Sequence, residues 1–411
     1  MRLVIIGSGA AGLSAVQTLI EHKHTFDVVL ITKDTRFYAL FSLPSFVAGE
    51  IDEQYLDRFD PQYFEDEGIE MKLATTVTAV NPQSNSVFLE TGDELTYDQL
   101  LIATGASAIK PRIEGLDKDG VVTLMNLRDS KSILARAKQK IKHVVVIGGG
   151  FVGIESATAL HRLGAQVTII ERENHLLPRM LDEDTAEIVR QLLQEQGIEV
   201  HTSTSVSKVL GEKAVKGVQI GKKQLQCDLV VVAVGVRPNI DIIQGTRIKT
   251  NQGILVNEYM QTNVANVYAA GDVAEAIERA TNKLRINAIW PNAIYQGRTA
   301  AQNMLGLKVS YQGSDAINLI NIFEIPVLSI GQPSTEIGKC DIIRIHRNKA
   351  FRKLIICDGK VLGYQAIGDL RNSGFILQAH RTGANISDVL DSLKKDTLIG
   401  QRYWQSREKQ T

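Results

Sequence analysis

Val144-Val145-Val146-Ile147-Gly148-Gly149-Gly150-Phe151-Val152-Gly153 is the stretch on which the reading of this chain turns. An unbroken run of β-branched residues reads as a strand buried on both faces. The glycines that follow obey G-x-G-x-x-G, and an alanine-rich, helix-like segment comes next. A second copy opens the chain: Leu3-Val4-Ile5-Ile6, then Gly7-Ser8-Gly9-Ala10-Ala11-Gly12. In such a strand–turn–helix the first glycine permits the tight turn, and the second lets backbone approach a pyrophosphate. The third lets helix and strand pack closely. Exposed N–H groups and the helix dipole then attract the phosphates. Gly7, Gly9, Ala10, Ala11 and Gly12 are therefore expected to cradle one dinucleotide, and Gly148, Gly150, Phe151, Val152 and Gly153 another. Two cradles in one chain imply that electrons pass between two dinucleotides.

A ribose-binding acid belongs about twenty residues past each motif. After the second motif that place is held by Glu171, closing Val167-Thr168-Ile169-Ile170. A carboxylate there accepts the 2′-hydroxyl and repels a 2′-phosphate, which favours NADH and leaves NADPH less favoured. Arg172 beside it pulls the other way, since a guanidinium accommodates a phosphate. After the first motif the equivalent residues are Thr32 and Lys33, with Asp34 open as either a substitute acid or a turn residue.

The 411 residues are too many for a single core and suggest two or three domains. With Lys+Arg and Asp+Glu both at 46, the chain has no basic excess for nucleic acid. The cysteines Cys227, Cys340 and Cys357 are scattered and lack metal-ligand spacing, so they read as structural thiols in a reducing compartment. The first strand begins within two residues of Met1, which leaves no room for a signal peptide. No apolar run approaches the ~20 residues of a membrane span. A cytoplasmic protein is expected.

Along the chain, Leu3–Ile6, Ala10–Glu21 and Val28–Ile31 make a β-α-β unit. The aromatic and acidic stretch Tyr55–Glu67 reads as partly helical, and β-like runs Lys72–Val80 and Ser86–Leu89 follow. A hinge is expected at Pro111–Gly115. The second β-α-β unit runs from His143 to Ile170, with Gly164 stopping its helix, and continues through helix Asp184–Gln196 to strand Asp228–Val234. From about residue 309 short strands predominate (Ile325–Ile330, Asp341–Ile345, Leu354–Ile356, Val361–Ile367), with helix-like Gly374–His380 and Ile386–Leu393 after them. The tail ends in Tyr403-Trp404, a candidate attachment surface for a partner subunit.

Besides both fingerprints, the chain carries Ala103-Thr104-Gly105, Ala233-Val234-Gly235-Val236-Arg237-Pro238-Asn239 and Ala269-Ala270-Gly271-Asp272. Together these resemble the FAD-dependent pyridine nucleotide-disulfide oxidoreductase superfamily, strongly over residues 1–310 and weakly beyond. The resemblance implies an α/β fold with two Rossmann-like dinucleotide-binding domains of the three-layer type and a C-terminal α+β interface domain. Residues 1–111 and 245–308 would form the FAD-binding domain, 112–244 the NAD(H)-binding domain, and 309–411 the interface domain, which commonly builds a homodimer or receives a protein partner. Val77, Ala103, Thr104, Gly105, Gly235, Gly271 and Asp272 join the expected cofactor set, Asp272 as the hydrogen-bond partner of the FAD ribityl chain.

Disulfide reductases of this superfamily carry a C-x4-C pair after the first fingerprint. Coenzyme A-disulfide reductases, water-forming NADH oxidases and NADH peroxidases carry a single cysteine near the place of Phe41. Here the sequence reads Tyr38-Ala39-Leu40-Phe41-Ser42-Leu43-Pro44. A serine hydroxyl supplies neither thiolate nor sulfenic acid, and the lysine that some relatives place near flavin N5 is also missing. The chain therefore resembles the branch of rubredoxin and ferredoxin reductases and the flavin portion of nitrite reductases. That implies hydride transfer from NADH to FAD, then electrons to an external iron–sulfur protein of ferredoxin or rubredoxin type. A flavoprotein subunit of a larger redox complex and a peroxide-forming NADH oxidase are the alternatives. Trp290, in Ile289-Trp290-Pro291-Asn292, matches a tryptophan close to the flavin in that branch and reads otherwise as a core aromatic. Glu155, just past Gly153, is either the residue that positions the nicotinamide or a solvated helix glutamate.

Overall fold

The structure is a computed structural model and describes residues 1–411 apart from 24, 138–140, 333–339, 348–349, 400–402 and 404–411. It divides into two compact units. The first comprises Met1–Ile109, Met125–Leu127 and Val236–Ser314. Its centre is the apolar run that opens the chain: β1 (Arg2–Ile6) leads through α1 (Ala10–Glu21) to β2 (Asp27–Ile31), and β3 (Ile69–Lys72) and β4 (Gln99–Ile102) follow. The sheet is parallel, in the order Val267–Ala269, β4, β1, β2, β3. Leu3, Val4 and Ile5 expose no surface at all, as a strand covered on both faces requires. Because β1 has β2 on one side and β4 on the other, successive connections diverge at its carboxyl end and leave a crevice there.

On this sheet α1 packs against the helix Trp290–Met304. Their close approach depends on small residues: a Cβ added to Gly297 would lie under 3.0 Å from the Ala11 backbone. The stretch expected to be partly helical resolves into a 3₁₀ turn Glu53–Leu56, a short strand Asp57–Phe59 and a helix Pro61–Asp66.

The second unit comprises Lys110–Leu124, Arg128–Gly235 and Asp315–Thr411. Its parallel sheet repeats the first plan. It holds β5 (Val121–Val122), β6 (His143–Ile147), β7 (Gln166–Ile170), β8 (Glu199–His201) and β9 (Leu229–Val232), in the order β5-β9-β6-β7-β8. Helix α2 (Phe151–Arg162) joins β6 to β7, and Gly164 at φ +88° follows its end, the left-handed position where glycine has no Cβ penalty. Helix α3 (Glu183–Glu195) is capped by the Asp182 carboxylate, which accepts from the Thr185 N–H at 3.0 Å.

The same unit carries an antiparallel sheet of β10 (Ile317–Ile322), β11 (Ile325–Gly331), β12 (Cys340–Arg347), β13 (Ala350–Cys357) and β14 (Lys360–Ile367), ordered β10-β11-β14-β13-β12. Helix α4 (Ser373–Thr382) packs on β14. Two expectations change. Leu354–Ile356 is the middle of an eight-residue strand. Ile386–Leu393 is a 3₁₀ turn at Ser387–Val389 followed by a helix Leu390–Lys394; the Asn385 side chain accepts from the Ser387 N–H at 2.9 Å at the start of that turn.

The reading of all three cysteines as free thiols is also corrected. Cys340 and Cys357 are directly opposed across β12 and β13, with Cα atoms 4.4 Å apart, and are joined as a disulfide. Their pairing depends on the hairpin register, which places residues 17 apart directly opposite each other. Cys227 is buried and free, and burial together with Asp228 pushes its thiol up to about 12. Among the described residues no helix is long and apolar enough to cross a membrane. Trp404 lies outside the described residues; Tyr403 packs edge-on against Phe375 and donates to Asp388 at 2.8 Å.

Candidate active site

Register makes the two crevices equivalent residue by residue. In the first unit Ile6 is level with Ile31 and Ile102, so Gly7, Thr32 and Ala103 stand together at the carboxyl edge. In the second, Ile147 is level with Ile170 and Val232, which aligns Gly148, Glu171 and Ala233. The backbone bonds repeat: Gly7 donates to Ile31 and Gly148 to Ile170, both at 2.8 Å.

The glycines divide into those with no room for a side chain and those with room. Gly7 and Gly148 sit at φ +104° and +109°, and a Cβ on either would lie under 3.0 Å from the carbonyl of Ala103 or Ala233. A Cβ on Gly12 or Gly153 would likewise meet the carbonyl of Gly7 or Gly148. Gly9 and Gly150 differ, because a Cβ there meets nothing within 4 Å. The space beside the second glycine is thus open in both cradles. Gly9 and Gly150 are also the N-caps of α1 and α2, and neither helix start has a side-chain cap. First-turn N–H groups, from Ala10, Ala11 and Gly12 and from Phe151, Val152 and Gly153, have no partner inside a helix. An uncapped, dipole-positive terminus facing open space is suited to a pyrophosphate.

The edge residues complete the two cradles differently. Glu171 is buried, and its carboxylate oxygens accept from the N–H groups of Gly149 at 2.6 Å and Glu173 at 2.7 Å. Thr32 is also buried, but its hydroxyl pairs with that of Ser8 at 2.8 Å and accepts from the Asp34 N–H at 3.2 Å. Lys33 is exposed. Asp34 is half-buried beside Tyr38, and burial pushes its carboxyl up against the pull of Lys33.

The remaining expected residues of the first unit gather around this edge. Thr104 is clasped to Asn239: its hydroxyl donates to the Asn239 carbonyl at 2.9 Å, and the Asn239 amide donates back to the Thr104 carbonyl at 2.8 Å. Gly105, at φ +66°, accepts from the Asn239 N–H. The strands Ala106–Ala108 and Val236–Pro238 pair just beyond. Gly271 sits at φ +81° against Ala11, its N–H held by the Gln296 side chain at 2.8 Å. Gln296 was not foreseen as a site residue; its signal was a polar side chain in the apolar face of a helix. Asp272 follows, with no hydrogen-bond partner among the described residues, and burial pushes its carboxyl up to about 6. Val77 is buried in the apolar core of this unit, as are Ile6 and Ala103.

Phe41 and Trp290, singled out for separate reasons, touch each other. Their rings meet edge-on with centroids 4.8 Å apart, and Arg58 lies 5.1 Å over the Phe41 ring. Phe41 is 51% exposed and so presents an open aromatic face.

In the second unit Glu155 lies in the first turns of α2 and is half-buried. Its carboxyl has no hydrogen-bond partner among the described residues, and burial pushes it up to about 8. Such a carboxyl is protonated at neutral pH and available as a donor, which a solvated helix glutamate is not. Gly235, at φ +111°, closes the turn after β9.

Residues 1–297 match the family model described as Pyridine nucleotide-disulphide oxidoreductase. An NADH oxidase of Methanocaldococcus jannaschii is 33% identical over 396 residues, spanning 90% of this chain and 88% of that one. The solved structure of a NAD-dependent persulfide reductase from A. fulgidus is similar with a TM-score of 0.86 at 30% identity, over 95% of this chain and 78% of that one. NADH:rubredoxin oxidoreductase from Clostridium acetobutylicum gives 0.78 at 25% identity, over 96% and 99%. The chain belongs to the pyridine nucleotide-disulphide oxidoreductase family. It is an FAD-dependent NAD(P)H oxidoreductase.

Proposed function

We propose that this protein is an NADH:acceptor oxidoreductase that holds FAD in the first cradle, takes NADH in the second, and hands electrons to an external iron–sulfur protein of ferredoxin or rubredoxin type. The observation that carries the acceptor is the distribution of sulfur. Every cysteine of the chain, Cys227, Cys340 and Cys357, falls in the second unit, and the unit with the first cradle has none. Phe41 stands where single-cysteine relatives keep their thiol. Flavin bound in the first cradle would supply the chemistry of accepting a hydride equivalent and giving electrons up singly; the first unit holds no cysteine pair to receive them.

The chain's own contribution is placement. Gly9 and Gly150 leave room for the two pyrophosphates, and the uncapped starts of α1 and α2 supply N–H donors. Asp272, half-buried and without a hydrogen-bond partner among the described residues, fits a hydroxyl-bearing chain such as ribityl. Glu171 accepts from the NADH ribose and opposes a 2′-phosphate, and Glu155 donates to the nicotinamide amide. The aromatic pair Phe41–Trp290 offers an apolar face for the ring system and its acceptor.

The test is anaerobic stopped-flow reduction by NADH, then mixing with ferredoxins, rubredoxins and quinones. Reoxidation by one iron–sulfur protein at least tenfold faster than by the other acceptors is expected. Equal, slow reoxidation by all of them, with stoichiometric peroxide in air, would replace this reading with the NADH oxidase one that the Methanocaldococcus relative favours.

A further inference from the structure

The C-terminal sheet carries a polar rung across three adjacent strands. Ser329 on β11 is directly opposite Gln365 on β14, and Gln365 is directly opposite Lys353 on β13. All three are buried, at 2%, 0% and 5% exposure. A row of polar side chains inside a sheet face is costly unless each finds a partner. All three find one in the same short segment. The Ser329 hydroxyl donates to the Met180 carbonyl at 2.6 Å, the Gln365 carbonyl oxygen accepts from the Asp182 N–H at 3.4 Å, and the Lys353 ammonium is ion-paired with the Asp182 carboxylate.

That segment is the one that closes the second cradle. It starts at Glu171, and Leu177 within it donates its N–H to the Gly149 carbonyl at 2.9 Å. Leu176 packs on Gly149 so closely that a Cβ there would lie under 3.0 Å from its side chain. Leu177 is held at φ +52°, a left-handed conformation that an ordinary L-residue keeps only when its surroundings enforce it. Two anchors enforce it: the glycine turn before it and the rung after it. Leu176, Leu177, Met180 and Leu181 are all at most 4% exposed, so displacement of 180–182 is transmitted through packed side chains to Gly149 and Glu171.

We infer that Ser329, Gln365 and Lys353 are positioning residues for pyridine-nucleotide binding, acting through residues 176–182 on the Gly149–Glu171 ribose site. The C-terminal sheet is then part of the NADH site rather than only a surface for partners. This rests on the assignment of NADH to the second cradle.

The test uses flavin-loaded protein and the double substitution Lys353→Met with Asp182→Asn, which removes both charges and keeps a capping side chain on α3. The dissociation constant for NADH, measured by titration, and its KM should each rise about tenfold, the size expected of residues that act through neighbours. The kcat at saturating NADH, the flavin content and the melting temperature of the first unit should stay near wild type. Amide exchange at residues 173–181 should accelerate. An unchanged NADH dissociation constant overturns the inference, and so does loss of kcat and flavin in proportion, which marks general damage. Should the double variant not fold, Ser329→Ala decides by the same ratio of KM to kcat. Gly150→Glu, whose added Cβ meets no protein atom within 4 Å, separates the two claims: normal NADH binding there overturns the cradle assignment itself, whatever the rung variants do.

Discussion

Replacing Gly150 by alanine separates the fold's need for glycine from the ligand's. Gly150 lies at φ −81° and ψ −171°, a conformation any residue adopts, and its added methyl would meet no protein atom within 4 Å. Alanine caps a helix less well than glycine, a cost of about 1 kcal/mol. It also restricts the unfolded chain, a gain of about 0.4–1 kcal/mol. The two offset, so the thermal melt should move little. On the proposed reading the methyl instead projects into the space that a pyrophosphate enters. Pushing a phosphate oxygen out of reach of one N–H removes a charge-assisted hydrogen bond, about 1.5–3 kcal/mol, or roughly 10- to 150-fold in affinity. Titration of the flavin-loaded variant with NADH, beside its melting curve and flavin content, reads all three quantities. The contrast is Gly153→Ala, whose methyl would collide with the Gly148 carbonyl and should lower the melt of the second unit outright. An NADH affinity for Gly150→Ala within twofold of wild type would refute the placement of the pyrophosphate.

Two further outcomes follow from the carboxylates. Glu171→Ala should narrow the ratio of NADH to NADPH kcat/KM by roughly tenfold or more, since one charge-assisted hydrogen bond and one repulsion go together; an unchanged ratio removes Glu171 from the ribose site. Glu155→Gln bears on pH. A carboxyl raised from 4.5 to about 8 favours the native state fully below its unfolded value, and that contribution is lost as pH climbs through 8. The ligand-free wild type should therefore lose stability between pH 4.5 and 8, by at most about 5 kcal/mol. Glu155→Gln should lack this component, and parallel pH–stability curves for the two proteins would show that Glu155 is solvated.

Local chemistry made much of this architecture legible. Both strand–glycine–helix units could be read because each glycine answers a contact within a few residues or at the adjacent strand end. The helix Ala10–Glu21 was located to the residue because a glycine turn starts it and its apolar face is continuous. Glu171 and Thr32 were found by counting, since a β-α-β unit fixes the distance from motif to strand end. What escaped was set by the register of paired strands, which no local motif announces. The Cys340–Cys357 pair exists only because two β-strands align end to end, and the Ser329–Gln365–Lys353 rung only because three do. The clasp between Thr104 and Asn239 joins two motifs that were each read alone. Leu177 left no trace in the sequence, because nothing about a leucine announces a left-handed backbone.

The two cradles share a backbone plan yet differ at one level, and the difference follows from what each must reject. On the proposed reading the second receives a ligand that leaves every turnover and competes with a 2′-phosphorylated analogue of the same shape. Hydrogen bonding alone discriminates poorly between such ligands; a fixed negative charge adds a repulsive element that only the wrong one meets. Glu171 provides it, held rigid by the N–H groups of Gly149 and Glu173. The first cradle holds a dinucleotide that stays, with no phosphorylated rival at its adenosine. A neutral pair suffices there, and the Thr32 and Ser8 hydroxyls satisfy each other at 2.8 Å without a buried charge that would have to be compensated. Exchanging the pairs tests this directly. Thr32→Glu should place a carboxylate next to Ser8 and leave flavin retention no better than wild type, because discrimination was never the first cradle's task. A marked gain in flavin affinity from that single change would show that the missing acid is a true deficit and that the ribose is held from elsewhere.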